Sequence, residues 1–236
     1  MKHAAAKPRK RLPKAHRRAE ILRAATEEFH ISGYEAASLH AIAGRLKINK
    51  AGLYYYFRSK EELLTVLIEG ILEKGIANID AIAASGGDPL TFLWMLVAGH
   101  VRHQCENLVE TSVYLHERRW LSSTRRPALL SKESYYQSVF ERAIREGQEQ
   151  ELIRSEIDPE LAAQSILGST NWIYTWYRPN GDLVPEIIGS HFAAMTVNSL
   201  AEENVLKSWA PPRLPKRSKS GGKAGAVSLN AFTGFR

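Results

Sequence analysis

The chain is poor in cysteine: of its 236 residues only Cys105 is one. No disulfide can form within it and a thiolate metal cluster is excluded, which fits a reducing cytoplasm, so a cytoplasmic location is expected. Long apolar runs are missing as well. None approaches the ~18 residues that a membrane-spanning helix needs, and no apolar signal core follows the basic N-terminus. There is no glycine-rich phosphate loop, no G-x-S-x-G element and no pair of acids at a strand end, so an enzyme is the poorest of the readings. Strand patterns and internal repeats are absent too, and the chain reads as all-α.

Acidic residues are scarce at both ends. Residues 1–65 hold 14 Lys and Arg against 6 Asp and Glu, and residues 211–236 hold 6 against none. The middle reverses the balance, with 12 against 19 over residues 66–210, and the whole chain carries +7. A basic first quarter on an acidic body describes a polyanion-binding module joined to something that is not one. The basic tail is either a second electrostatic contact or a solvated end.

What is present is helical punctuation. A basic arm, "MKHAAAKPRKRLPKAHR", leads into apolar residues at helical spacing, Ile21, Leu22, Ala25 and Phe29, and Gly33 is suited to a left-handed helix end. Ser38 is a single-sided cap for "LHAIAGRL", because Ala41 stands where an acid would complete a capping box. Asn49 caps "KAGLYYYF". Ser59 and Glu62 form a complete box before a long helix reaching about Ile82. Asp88-Pro89 opens the nearly all-apolar "LTFLWMLVAGHVRHQ", whose composition implies burial. Further helices are expected at about 107–120, 124–149, 158–177 and 183–206, and "PPRLPKRSKSGGKAGAVSLNAFTGFR" reads as disordered. The expected organisation is an arm at 1–13, a three-helix head at 14–58, a body of about six helices at 59–210 and a tail at 211–236.

The block "LYYYF" at 53–57 decides what the head does. At 3.6 residues per turn four consecutive aromatics cannot all face a core. Leu53 and Phe57, four apart, can turn inward with Ile42 and Leu39, which leaves Lys50, Gly52 and Tyr54 outward and Tyr55 and Tyr56 at the flanks. A helix, a turn and a second short helix form the helix-turn-helix arrangement, whose second helix enters the major groove of duplex DNA. Hydroxyls of Tyr55 and Tyr56 then meet phosphates, and Lys60 adds a cation beside a helix N-terminus.

The segment "EILRAATEEFHISGYEAASLHAIAGRLKINKAGLYYYFRSKEELL" resembles the DNA-binding head of the TetR family of bacterial repressors over about residues 17–65. The resemblance rests on Gly33, Ile42-Ala43, "LYYYF" and "SKEEL" at fixed spacing. It implies base contacts from Lys50, Ala51, Gly52 and Tyr54, and phosphate contacts from Ser38, Tyr55, Tyr56 and Lys60. It also implies a homodimer through the helices at about 158–177 and 183–206, a palindromic operator, and a body that binds a small effector. Three departures stand out. The threonine often found before the second helix is Ala37. The usual turn glycine is Lys47, which costs about 1 kcal/mol if the turn is left-handed and places a cation near the DNA backbone. Gly52 removes a side chain from a base-reading position.

In the body, "HERRWL", "ERAIREGQEQELIRSEIDPELAAQSILG" and "GSTNWIYTWYRPNGDL" are similar to acyl-CoA-responsive TetR-family regulators of lipid or steroid breakdown, over about residues 110–200. That likeness implies an acyl-CoA effector and no cofactor. Arg118, Arg119, Arg125 and Arg126 are then candidates for CoA phosphates, the alternative being surface charge paired with Glu117 or Glu133. His100 and Asn171 are candidate polar anchors in an apolar pocket. Leu96, Tyr114, Phe140 and Trp172 complete the candidate set, although Trp172 and Trp176 equally suit a dimer interface. His100, His103 and His116 lack a metal-ligand pattern, and no metal is expected. The rival function is a multidrug-sensing repressor that binds planar or cationic compounds.

Overall fold

The structure, a computed structural model, describes residues 13–212. The expected arm and tail lie almost wholly outside these described residues. Helix α1 (Lys14–Ala36) buries Ile21, Ala25 and Phe29, each four residues after the last, and is interrupted at Gly33 with φ 72° and ψ 158°. That backbone region is essentially glycine-only, and it is more extended than the left-handed end expected from sequence. One further turn then closes at Ala36.

Helix α2 (Leu39–Arg45) starts at Ser38, whose hydroxyl accepts the Ala41 N–H at 3.0 Å. It is held to α1 by the buried Glu28, which accepts from Arg45 Nε at 2.9 Å and from Ser32 at 3.1 Å. The turn that follows carries Lys47 at φ 52°. Helix α3 (Lys50–Tyr54) begins where Asn49 accepts the Gly52 N–H at 2.7 Å, and it is only five residues long. Helix α4 (Lys60–Ala84) is capped by Ser59 on the Glu62 N–H at 3.0 Å. The Glu62 carboxylate returns to the Arg58 N–H at 2.7 Å, one residue earlier than the capping box requires.

The head's core does not stop at the boundary expected after residue 58. Phe29, Ile42, Leu53 and Phe57 pack in one apolar cluster with Leu63, Leu64 and Ile68 of α4, and with Val113, Leu121 and Leu129 of the body. Burial of Phe29, Leu53 and Phe57, each at most 1% exposed, contributes roughly 1.5–3 kcal/mol apiece.

The body comprises α5 (Pro89–Glu106), α6 (Leu108–Glu117), α7 (Arg126–Glu149), α8 (Pro159–Asn171), the short α9 (Ile173–Trp176), α10 (Pro185–Leu200) and α11 (Glu203–Leu206). The class is all-α as expected, and among the described residues the sole β-type pairing is an isolated bridge, Ile153 to Ala201. That bridge explains why the helix expected at 183–206 is cut short. At Ala201 the chain turns extended (φ −71°, ψ 154°), and Glu202 N–H bonds to Leu152 O at 3.0 Å. The helix expected at 158–177 is interrupted at Trp172, just after Ser169 and Thr170 both turn their hydroxyls onto the Ile166 carbonyl, at 3.0 and 2.6 Å. Such back-bonding bends helices. The stretch expected at 107–120 is α6 followed by a 3-10 turn over Arg118–Trp120.

Helix α5 is central, with Leu90, Leu93, Leu96, Val97 and Val101 fully buried. Helix α10 crosses it so closely that a β-carbon on Gly189 would lie 2.9 Å from the Ala98 carbonyl oxygen. Among the described residues no helix is long and apolar enough to cross a membrane.

Candidate DNA-reading surface and effector cavity

The aromatic block divides as its spacing demands. Leu53 and Phe57 are fully buried, whereas Tyr54 is 43% and Tyr55 70% exposed. Only Tyr54 belongs to α3. Tyr55 and Tyr56 occupy the exit turn, so the four aromatics are not one helical stripe. Tyr56 is half-buried, edge-on to Tyr55 with ring centroids 5.0 Å apart. On the outer side of α3, the Lys50 ammonium stands 5.7 Å from the Tyr54 ring centroid, so the two expected base readers share one surface. Ala51 is exposed beside them, while the half-buried Gly52 has its N–H committed to Asn49. Ser38 and Lys47 are both exposed.

Lys60 is placed differently from the expectation. Its ammonium donates to the carbonyls of Tyr34, Glu35 and Ala37 at 2.7, 3.0 and 2.9 Å and lies over the Tyr34 ring at 4.5 Å. All three donors of a lysine are thereby used. Lys60 caps the C-terminal end of α1 rather than presenting a free cation to phosphate. Two cations on α1 went unremarked in the sequence: Lys14 lies over the Tyr55 ring at 5.3 Å, and Arg18 over Phe57 at 4.9 Å. Their spacing of four, directly after the basic arm, is the signal that could have marked them as one face.

Behind the head, α4 to α8 enclose a cavity of about 340 Å³. Ile71, Leu72 and Leu167 supply apolar wall, but the rest is more polar than expected. His100, Tyr114, Arg118 and Asn171 line it as anticipated. Leu96 and Phe140 do not: both are fully buried in the apolar core, one helical turn before His100 and after Tyr136 respectively. Trp172 is also outside the lining, 47% exposed on the outer surface. His103, Gln104, Thr111, Glu133, Tyr136, Gln137 and Gln164 complete the polar wall and were missed.

These groups form two sets. At one end Glu133 accepts from the Tyr114 hydroxyl at 2.6 Å and is paired with Arg118. Burial, then the Glu133 carboxylate, push the Tyr114 phenol well above its ordinary range. Deeper in, His100 Nδ1 lies 2.9 Å from the Tyr136 hydroxyl, and Gln104 links His100, Thr111 and Asn171. Burial, together with neighbouring His103, lowers His100 to about 3, so the ring is neutral. The other three arginines proposed for phosphate lie outside the cavity lining: Arg119 stands over the Trp120 ring at 5.6 Å, Arg125 faces Glu61 at 3.7 Å, and Arg126 donates to the Arg119 carbonyl at 3.1 Å. His100 and His103 both line the cavity, His103 contacting Asn107 at 3.4 Å, whereas His116 lies apart and bonds Tyr174 at 2.9 Å.

Helix α6 faces both ways. Thr111 and Tyr114 line the cavity, while Ser112 bonds His30 of α1 at 2.9 Å and Val113 joins the head's apolar cluster.

A helix-turn-helix head whose core runs on into a helical body with a polar-walled cavity defines a one-component DNA-binding regulator. Comparison with known proteins agrees. Residues 21–67 match the family model for bacterial regulatory proteins of the tetR family, and residues 86–200 match a tetracyclin repressor-like C-terminal domain. The transcriptional repressor KstR2 of Mycobacterium tuberculosis is 27% identical over 190 residues, covering 80% of this chain and 95% of the relative. The structure of that ketosteroid transcriptional regulator superposes with a TM-score of 0.75 at 26% identity, over 79% of this chain and 96% of the other. A TetR/AcrR-family regulator from Thermobifida fusca is 32% identical with a TM-score of 0.60, over 78% and 97%. AibR, solved with isovaleryl coenzyme A and operator DNA, is 28% identical with a TM-score of 0.69, over 76% and 97%.

The chain belongs to the TetR family of bacterial transcriptional regulators. It is a DNA-binding protein, not an enzyme.

Proposed function

We propose that the protein is a homodimeric repressor that leaves a palindromic operator when an acyl-CoA thioester enters the cavity. The observation that carries this reading is the double role of α6. Its Thr111 and Tyr114 face the cavity while its neighbouring Ser112 and Val113 hold α1 of the head. A ligand that displaces α6 therefore moves the head. Two recognition helices must stand about 34–36 Å apart to enter successive major grooves, so a small rotation of each head breaks the register. The ligand acts only by binding the DNA-incompetent arrangement more tightly.

Dimerisation is supported by the apolar side chains left outward on the last long helices and the loop between them: Leu161 at 65%, Trp172 at 47%, Val184 at 45% and Met195 at 69% exposure. A second copy is the partner the family resemblance implies for that face. The effector class is supported by AibR, solved with isovaleryl coenzyme A and operator DNA. Arg118 stands at the cavity wall in a pair with Glu133, and a guanidinium there can exchange a carboxylate for a phosphate.

The test is fluorescence anisotropy of a labelled duplex from the protein's own promoter region, titrated with straight-chain and steroid acyl-CoAs. Release at micromolar thioester is expected. Binding of duplex with no release by any thioester would remove the effector class, and no binding of duplex in dilute salt would remove the whole account.

A further inference from the structure

The exposed end of the cavity carries acceptors whose polarity their own partners fix. Glu133 Oε1 takes both the Tyr114 hydroxyl, at 2.6 Å, and the Arg118 guanidinium. A carboxylate offers lone pairs only, so the phenol is the donor. Oε2 of the same carboxylate has no hydrogen-bond partner among the described residues, and the Glu133 side chain is 20% exposed. One turn further along α7, Gln137 Nε2 donates to Glu141 Oε1 at 2.8 Å. Glu141 faces Arg145 with its other oxygen at 3.9 Å. Beside that carboxylate the glutamine must present its nitrogen, which leaves Gln137 Oε1 as the free atom, a carbonyl oxygen that can only accept. Gln164 of α8 follows the same pattern more loosely, its Nε2 3.5 Å from Glu160 Oε1. Glu133, Gln137 and Gln164 all line the cavity.

A rim of acceptors sorts ligands by polarity. A carboxylate or phosphate set on these oxygens meets lone pairs and like charge. An N–H or O–H is held, and more firmly by a carboxylate than by a neutral acceptor. Spacing narrows the class. Residues four apart on a helix are separated by about 6 Å along its axis. The thiol arm of coenzyme A carries two amide nitrogens four bonds apart, a comparable span. A phosphate that took the place of Glu133 on Arg118 would not abolish the acceptor, because it would free the second carboxylate oxygen as well.

We propose that the rim formed by Glu133 and Gln137 recognises hydrogen-bond donors, the amide N–H groups on the thiol arm of an acyl thioester. The proposal rests on the cavity being the effector site, and it deepens that reading: the apolar wall takes the acyl chain, and α7 reads the arm beyond the sulfur. Tyr114 and Arg118 are positioning residues in this account. They occupy one oxygen of Glu133 and so leave the other for the ligand.

The test compares two truncated thioesters on the full-length protein by calorimetry. One is S-dodecanoyl-N-acetylcysteamine, which keeps one amide N–H. The other is its isostere with an ester oxygen in place of that N–H. Apolar contacts are common to both, so the ratio of their affinities reads the donor alone. Wild type should prefer the amide about tenfold. In Glu133→Gln the new amide oxygen stays with Tyr114 and Arg118 and turns an NH2 toward the ligand, and Gln137→Met removes the second acceptor. The double variant should bring the ratio to about one while binding the ester as before. An unchanged melting temperature shows that the fold is intact; if the variant melts early, the wild-type ratio decides alone. Equal affinity of wild type for the two probes, or a preference that survives in the double variant, overturns the proposal and leaves an acyl-CoA effector standing. Binding of dodecanoyl-CoA with neither truncated probe also overturns it, because recognition then lies at the nucleotide end. An amide preference that depends on Glu133 and Gln137 with no binding of dodecanoyl-CoA does the reverse: the rim stands and the CoA effector falls. No binding by any of the three compounds overturns both.

Discussion

The Lys60 ammonium donates to the Tyr34 carbonyl at 2.7 Å and sits 4.5 Å from the centre of the same residue's ring. With the Glu35 and Ala37 carbonyls also in reach, it satisfies orphan acceptors at the end of α1, where the helix dipole favours a cation. Lys60→Met should therefore destabilise the protein by about 1–3 kcal/mol in urea unfolding. It should leave the slope of log affinity against log salt for DNA unchanged. A slope reduced by about 0.9 would return Lys60 to the phosphate-contacting set.

Lys47 gives the opposite pattern. Its φ of 52° costs a side-chain-bearing residue roughly 1–2 kcal/mol, partly offset in glycine by about 0.5–1 kcal/mol of chain entropy. Lys47→Gly should raise the urea midpoint slightly while lowering DNA affinity and the salt slope, since a cation near the duplex is lost. A variant that is both less stable and equally salt-sensitive would contradict the assignment.

At the crossing of α5 and α10, a methyl group on Gly189 would meet backbone, 2.9 Å from Ala98 O and 3.2 Å from its Cα. Backbone in two packed helices cannot swing aside as a side chain does. Gly189→Ala should cost about 1–3 kcal/mol of stability, read as a lower melting temperature. Wild-type melting behaviour would show that the helices part without strain.

His100 makes stability pH-dependent. Its folded value is lowered to about 3 by burial, against about 6.5 in an unfolded chain. Above pH 6.5 both states are neutral and the stabilisation is fully present. As pH falls below that, the unfolded state takes up a proton that the folded state refuses, and stability is lost at up to about 1.4 kcal/mol per unit. Urea unfolding between pH 7 and 5 should show a shallower slope for His100→Phe than for wild type. Equal slopes would mean that His100 is already accommodated as a cation.

Local chemistry was legible in the sequence. Ser38, Asn49, Ser59, Asp88 and Asp158 all cap the helices they precede, each accepting an N–H three residues on, because a cap needs nothing beyond its own turn. Interactions across the chain were not. Lys60 finds Tyr34 across 26 residues, and His100 finds Tyr136 across 36. The pair Tyr135-Tyr136 shows why the cavity floor was missed. Two identical neighbours occupy adjoining faces of α7, and only packing decides that Tyr135 is 45% exposed, bonded to Asp80 at 2.7 Å, while Tyr136 turns inward. Asn171 was legible because a partly buried amide needs partners, whereas Leu96 and Phe140 look like pocket lining but belong one layer deeper.

On α6, Thr111 touches the cavity's hydrogen-bond network and Ser112, its immediate neighbour, touches the head. In the mechanism proposed above, sensing and response are thus written in adjacent letters on one ten-residue rod. Altering the chemical identity of the inward letters changes which molecule is heard without rewriting the reply, which makes this short helix the natural place to graft a new input onto an unchanged genetic output.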